Sequence, residues 1–357
     1  MNNQQAMKTV VLQAGRLQLQ SAALPQPGPC QVLLRSLACG ICGSDLHILK
    51  HSGEVFALYR ELGLMSAEQD DRTPLALGHE FCGEIVSYGP QTEKPLAVGS
   101  RVTSVPMLLS QQGAGIGVTP GLGGAYSEYF VIDEALMLAV PEQLPAEAAA
   151  LTEPLAVGLH AVNRSAIGSD DIALVVGCGP IGLATLVALQ RRGVQQIVAA
   201  DLNSEKLQLA QQFGATAVVN PRQQDEIQYA CATAPGKRLV IFECVGIHTL
   251  IDGFIRRAPA HSTLVVTGVH TTPSSVNYAY ATVKELDLRF SYYYQPQEFA
   301  ECLQALAEGE IPWQKMLSAK VGIDGVPQAF AALQQPNDYI KVVIEPWRDG
   351  PLQPVSL

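Results

Sequence analysis

The sequence has no run of basic residues. Twenty-three lysines and arginines stand against thirty-three acidic side chains, a net charge of −10 over 357 residues. A nucleic-acid binder needs a basic footprint, so that class is disfavoured. Dense cysteine is missing too: the eight present are scattered, the closest pair being Cys39 and Cys42. A disulfide scaffold is shorter and richer in cysteine, so the thiols are expected to be reduced and free for other chemistry. No apolar core of signal-peptide length lies within the start, MNNQQAMKTVVLQAG, and export is not expected. One long uncharged run, Ile172 to Gln190, contains Gly177, Gly179, Pro180 and Gly182. A membrane helix would be broken there, and a buried strand, a glycine turn and a buried helix fit better. The expectation is a soluble, cytoplasmic protein with neither a membrane nor a nucleic-acid partner.

What is present is 48% apolar residues against 16% charged ones, enough for packed cores, over a length of about two domains. From about residue 156 to 290 strands and helices alternate. Ile172–Val176, Ile197–Asp201, Thr216–Asn220, Leu239–Phe242 and Thr263–Thr267 read as strands, with helices over Pro180–Arg192 and Ser204–Phe213. That alternation predicts right-handed crossovers and a parallel sheet. The first 150 residues or so instead carry short alternating runs (Gln31–Ala38, Glu80–Tyr88, Arg101–Val105, Tyr126–Ile132) between Gly/Pro punctuation. These predict a mostly antiparallel, barrel-like domain. Beyond residue 290, helices over Gln297–Leu306 and Val326–Leu333 and a last strand, Tyr339–Glu345, return the chain to the first domain. The expected division is therefore 1–155 with 291–357, and 156–290.

Gly177-Cys178-Gly179-Pro180-Ile181-Gly182 fits Gly-x-Gly-x-x-Gly between a strand and a helix. The first glycine permits the tight turn, the second lets backbone approach a pyrophosphate, and the third lets strand and helix pack closely. Helix N–H groups then face the phosphates. Asp201 ends the next strand, where a carboxylate accepts hydrogen bonds from ribose hydroxyls and repels a 2′-phosphate. This predicts NAD rather than NADP.

The metal-ligating residue types cluster in the first domain: Cys39-Gly-Ile-Cys42-Gly-Ser44-Asp45-Leu-His47, then Leu77-Gly78-His79-Glu80, then Glu153-Pro154-Leu155. No second C-x-x-C follows Cys39 and Cys42, which excludes a closed site built from two such pairs. Taken singly, Cys42 reads as a small buried group, His79 as a core histidine and Glu153 as a helix N-terminal acid. Together, next to a dinucleotide loop, they read as a metal site.

In this order CGICGSDLH, GHE, EPLAVGLHA and GCGPIG resemble the zinc-dependent medium-chain alcohol and polyol dehydrogenases, in the branch with sorbitol, butanediol and idonate dehydrogenases. The resemblance covers essentially the whole chain. It implies a GroES-like β-barrel catalytic domain with a doubly wound Rossmann domain, one catalytic zinc, NAD, a small alcohol or ketone substrate, and assembly as a homodimer or homotetramer. Carried over, Cys42, His79 and Glu153 ligate zinc, with Glu80 behind them or as an alternative ligand. Asp45 orients a ligand. Ser44 and His47 match the proton relay. Gly177, Gly179, Pro180, Ile181, Gly182, Asp201, Lys206, Val245 and Val269 match cofactor-binding positions.

The chain departs from that pattern in three places. Many relatives carry four cysteines after the strand corresponding to VGSRV; here VPMLLSQQGAGIGVTPGLGGAYSEY has none, so no structural zinc is expected. The stretch between His47 and His79 is longer than in the polyol branch, and residues 52–68 are expected to form a lid, a substrate wall or a subunit contact. An arginine common after the last Rossmann strand is replaced by FSYYYQP, so Tyr292 to Tyr294 are candidates for lining a pocket. Two other readings remain open: a zinc-free, NADPH-dependent quinone or enoyl reductase of the same fold, and a non-catalytic NAD-binding protein.

Overall fold

The structure is a computed structural model and describes residues 6–355. It divides into two compact units. One is drawn from residues up to Glu153 and from Leu303 onward, the other is Pro154–Cys302. The sequence reading set these junctions at 155/156 and 290/291. Two helices, Thr152–Ser165 and Pro296–Ala307, run across the observed ones.

The first unit is GroES-like and mostly antiparallel. The strands Gln31–Gly40 and Glu80–Tyr88 pair along their length with Gly40 opposite Glu80, and Tyr129–Asp133 pairs with the first half of Gln31–Gly40. The chain end joins the same sheet: Lys341–Glu345 sets Val343 opposite Gly40 and Ile344 opposite Cys39. Three segments distant in sequence are therefore neighbours where the metal motifs lie. The strand read as Tyr126–Ile132 begins only at Tyr129, because the backbone of Tyr126 exchanges hydrogen bonds with Leu77 and Val10 instead. Val10, Leu34, Phe81, Phe130, Tyr126, Val321, Phe330 and Ile344 fill one continuous apolar core.

The glycine-rich stretch after Arg101 packs against the segment leading to His79. A Cβ on Gly124 would lie 2.2 Å from the Leu77 carbonyl oxygen, and one on Gly117 (φ +74°) 2.3 Å from that of Gly78. The Ala125 N–H donates to Gly78 at 3.0 Å and the Tyr126 N–H to Leu77 at 3.0 Å. The glycines thus serve close backbone packing beside His79.

Between His47 and His79 the helix Gly43–Glu61 runs on from the first motif, kinked at His51 (φ −129°, ψ 33°). Val55, Phe56 and Met65 are buried in the core of this unit. The following turn is pinned by Arg60 donating to Gln69 O (2.8 Å), Gln69 to Pro120 O (2.7 Å) and Gln13 to Arg72 O (2.8 Å). Both the helix and the turn after it are thus tied to the rest of this unit.

The second unit is a six-stranded, wholly parallel sheet, in the order Ala217–Val219, Gln196–Ala200, Ile172–Val176, Leu239–Glu243, Thr263–Val266, Asp287–Phe290. The order reverses at the first strand, and ligands of such sheets bind beyond the strand carboxyl ends at that point. Ile172–Val176 and Leu239–Glu243 are buried at every residue, as strands covered on both faces must be. Tyr294 is buried and stacks on Tyr293 and Phe299, whereas Tyr292 is exposed, so this triplet divides between packing and surface. Among the described residues, no helix is long and apolar enough to cross a membrane.

Replacing Gly124 by Ala forces a methyl group against two backbone carbonyls and is expected to cost about 1–3 kcal/mol. Gly53→Ala, in a helix with nothing near the added methyl, is expected to be neutral or to stabilise by up to ~1 kcal/mol. Denaturant unfolding checks both, and equal midpoints for the two variants would contradict the packing described.

Candidate active site

The metal cluster is organised by one helix start. Cys42, in extended conformation, is the residue that caps Gly43–Glu61, and its backbone N–H donates to Asp45 Oδ2 at 3.0 Å. Asp45 has no exposed surface. The Tyr126 hydroxyl donates to the same Oδ2 at 2.6 Å, and Asp45 Oδ1 lies 3.5 Å from His79 Nδ1. A carboxylate facing Nδ1 leaves Nε2 as the nitrogen available to a metal. Asp45 therefore links the motif around Cys42 to the one around His79. The helix also carries Ser44, exposed, and His47, half-buried, three residues apart on one face.

The donor atoms of Cys42, His79 and Glu80 all lie within 4.8 Å of one another. Glu80 is fully buried, and both its oxygens accept hydrogen bonds from Lys341 Nζ at 2.7 Å. Lys341 is itself buried and donates as well to Ile41 O at 3.1 Å. A Cβ on Gly40 would lie 2.0 Å from Glu80 Oε2, so only glycine leaves the carboxylate this position. Glu153 is buried in the first turn of Thr152–Ser165, outside the tight trio.

Charge supports a cation here. Burial by itself would lower His79, but the charges of Asp45, Cys42 and Glu153 hold it well above the ordinary histidine value. The cluster thus draws positive charge onto its imidazole, and thiolate, imidazole and carboxylate form a donor set suited to zinc. The other thiols nearby are inert: burial raises Cys39 well above its ordinary value and pushes Cys82 up to about 12.

In the second unit, Gly177 has φ +95°, and a Cβ there would meet Val245 at 2.8 Å. One on Gly182 would lie 1.8 Å from the Gly177 carbonyl, whereas the space at Gly179 is open. The first and third glycines of the loop are therefore closely packed, and the second is open. Pro180 begins the helix Pro180–Arg191, with Ile181 and Gly182 following in its first turn. Asp201 Oδ2 accepts from the Cys178 N–H at 2.8 Å and Oδ1 from the Asn203 N–H at 2.9 Å, which fixes the carboxylate beside the loop. Asn203 caps the next helix, in whose first turn Lys206 stands. Val245 and Val269 are 43% and 49% exposed on the turns after their strands.

Residues 28–142 match the model of the alcohol dehydrogenase GroES-like domain, and residues 180–308 that of the zinc-binding dehydrogenases. The (R,R)-butanediol dehydrogenase of Bacillus subtilis is 30% identical over 334 residues, covering 90% of this chain and 94% of that one. The chain belongs to the zinc-binding dehydrogenase family. The sorbitol dehydrogenase of Bos taurus is 30% identical, over 81% of this chain and 82% of that one. The crystal structure of 2R,3R-butanediol dehydrogenase from Bacillus subtilis superposes with a TM-score of 0.80 at 28% identity, covering 95% and 99% of the two chains. A Sinorhizobium meliloti protein crystallised with NADP gives 0.81 at 27%, covering 96% and 100%.

The sequence reading did not single out Lys341 or Tyr126. Lys341 left a signal, a charge directly before the apolar residues Val342, Val343 and Ile344, because a lysine buried in such a strand needs a partner. Removing it by Lys341→Met would strand the Glu80 charge. The expected loss is about 3–5 kcal/mol of stability, measured by denaturant unfolding of the metal-loaded protein. An unchanged midpoint would contradict the pairing.

Proposed function

We propose that this dehydrogenase oxidises a secondary alcohol or polyol with NAD, and reduces the ketone in reverse, using one zinc held by Cys42, His79 and Glu153. The observation that carries the proposal is the convergence of Cys42, His79 and Glu80 in a chain that also has a clear dinucleotide loop. The preference for Glu153 over Glu80 as third ligand follows from Lys341, which occupies both Glu80 oxygens. The preference for NAD follows from the Asp201 carboxylate, whose charge opposes a 2′-phosphate. Relatives named for butanediol and sorbitol support a substrate with a secondary hydroxyl. Assembly as a homodimer or homotetramer belongs to the same proposal.

When bound, zinc lowers the pKa of a substrate hydroxyl towards neutrality, and NAD accepts the hydride. The chain's own residues manage the proton. Ser44 takes it from the substrate hydroxyl, and His47, on the same helix face, receives it on the way to solvent. Burial first, and then the neighbouring His51, lower His47 below the ordinary histidine value of 6.5. It is therefore neutral, and able to accept a proton, at neutral pH.

Purified protein is expected to reduce NAD at the NADH absorbance band with a panel of secondary alcohols, in strong preference to NADP, and to lose this on chelation until zinc is restored. Protein that purifies without zinc, and that oxidises no member of the panel with NAD even after zinc is supplied, would refute the proposal. Alcohol oxidation is expected to fall as pH drops through the lowered His47 value, since the protonated ring accepts nothing. His47→Gln is expected to flatten that acid limb and slow oxidation at neutral pH by roughly ten- to a hundredfold, within the range of acid–base catalysis. A pH profile indistinguishable from wild type would remove His47 from the relay.

A further inference from the structure

Two turns in the second unit carry the exposed valines that the family resemblance sets at the cofactor, and a single buried carboxylate joins them. Glu243 ends the strand Leu239–Glu243 with no exposed surface. Its Oε1 accepts from the N–H groups of Val245 and Gly246, both at 2.7 Å. Its Oε2 lies 3.2 Å from Nε2 of His270, which follows Val269 in the next turn. A carboxylate oxygen accepts, so Nε2 carries the hydrogen. The turns also touch through backbone: a Cβ on Gly268 would lie 2.5 Å from Gly246 Cα and 2.9 Å from Glu243 Oε2. Val245 in turn contacts the start of the glycine loop at Gly177.

We infer that His270 is a positioning residue for the dinucleotide: through Glu243 it clamps the turns of Val245 and Val269 in the shape the cofactor needs. Turns held before binding need not be ordered during it, so the clamp acts on affinity. Loops at strand ends are otherwise among the more mobile parts of such a fold. His270 reaches the cofactor through Glu243 and the two valines and takes no part in hydride or proton transfer. The inference rests on the dinucleotide reading above.

The test compares wild type, His270→Ala and His270→Gln in the zinc-loaded protein. NADH binding is followed by nicotinamide fluorescence, with thermal unfolding measured without cofactor. His270→Ala removes the donor to Glu243 and is expected to weaken NADH about tenfold, the scale of one charged hydrogen bond. It should raise KM for NAD while kcat and zinc content stay near wild type. His270→Gln, which keeps a donor of similar reach, is expected to recover most of the affinity. Unchanged NADH affinity in the folded Ala variant would overturn the inference, as would a loss of affinity that Gln does not restore. If wild type binds neither NADH nor NADPH, the dinucleotide reading itself fails, an outcome distinct from both.

Discussion

Lys341 and Glu80 form an ion pair without access to water, and the geometry of the first unit depends on it. The lysine comes from the returning chain end, and the carboxylate follows His79 directly. The same ammonium also donates to the carbonyl of Ile41, the residue before Cys42. One cation therefore fixes the distance between the segments that carry the thiol and the imidazole. A buried pair of this kind is no large source of stability, because desolvating both charges offsets most of their attraction. Its value is specificity of arrangement: any other register would bury a charge alone. The strand Lys341–Glu345 thus completes the sheet beside the segments that carry Cys42 and His79.

Carboxylates perform the same task elsewhere, at two fully buried positions and one partly exposed one. Asp45 joins Cys42, Tyr126 and His79, Asp201 joins the glycine loop to the next helix start, and Glu243 joins two turns at the strand ends. In each case the acceptor serves donors from separate segments, and a carboxylate, with two oxygens and several lone pairs, is the side chain best able to do so. The glycines are the complement of this scheme. Gly40 and Gly182 are required where backbone or carboxylate oxygen approaches too closely for any Cβ.

Much of this was legible in the sequence because it depends on local pattern. The strand–glycine–helix run from Ile172, the Asp201 position and the order of CGICGSD, GHE and EPL all belong to contiguous segments whose chemistry is declared by residue type. The parallel sheet followed from spacing alone, and Ile172–Val176 and Val326–Leu333 begin and end where the pattern placed them. What escaped was non-local. Nothing near Lys341 in the chain announces Glu80, and nothing near His270 announces Glu243. Nothing in the excursion after His47 announces that Val55 and Phe56 pack into the core, because burial is decided by what lies across the fold. The close packing of the glycine-rich stretch after Arg101 against Leu77 and Gly78 could be seen only in three dimensions.

The central claim is that a single cysteine, a histidine and a carboxylate hold one zinc in this chain. X-ray absorption at the zinc edge of the purified protein tests it directly, because sulfur and light-atom neighbours scatter differently. The account predicts one zinc per chain with one sulfur near 2.3 Å, the remaining scatterers being nitrogen or oxygen near 2.0–2.2 Å. Two or more sulfurs on the metal, or a protein that retains no zinc, would contradict it.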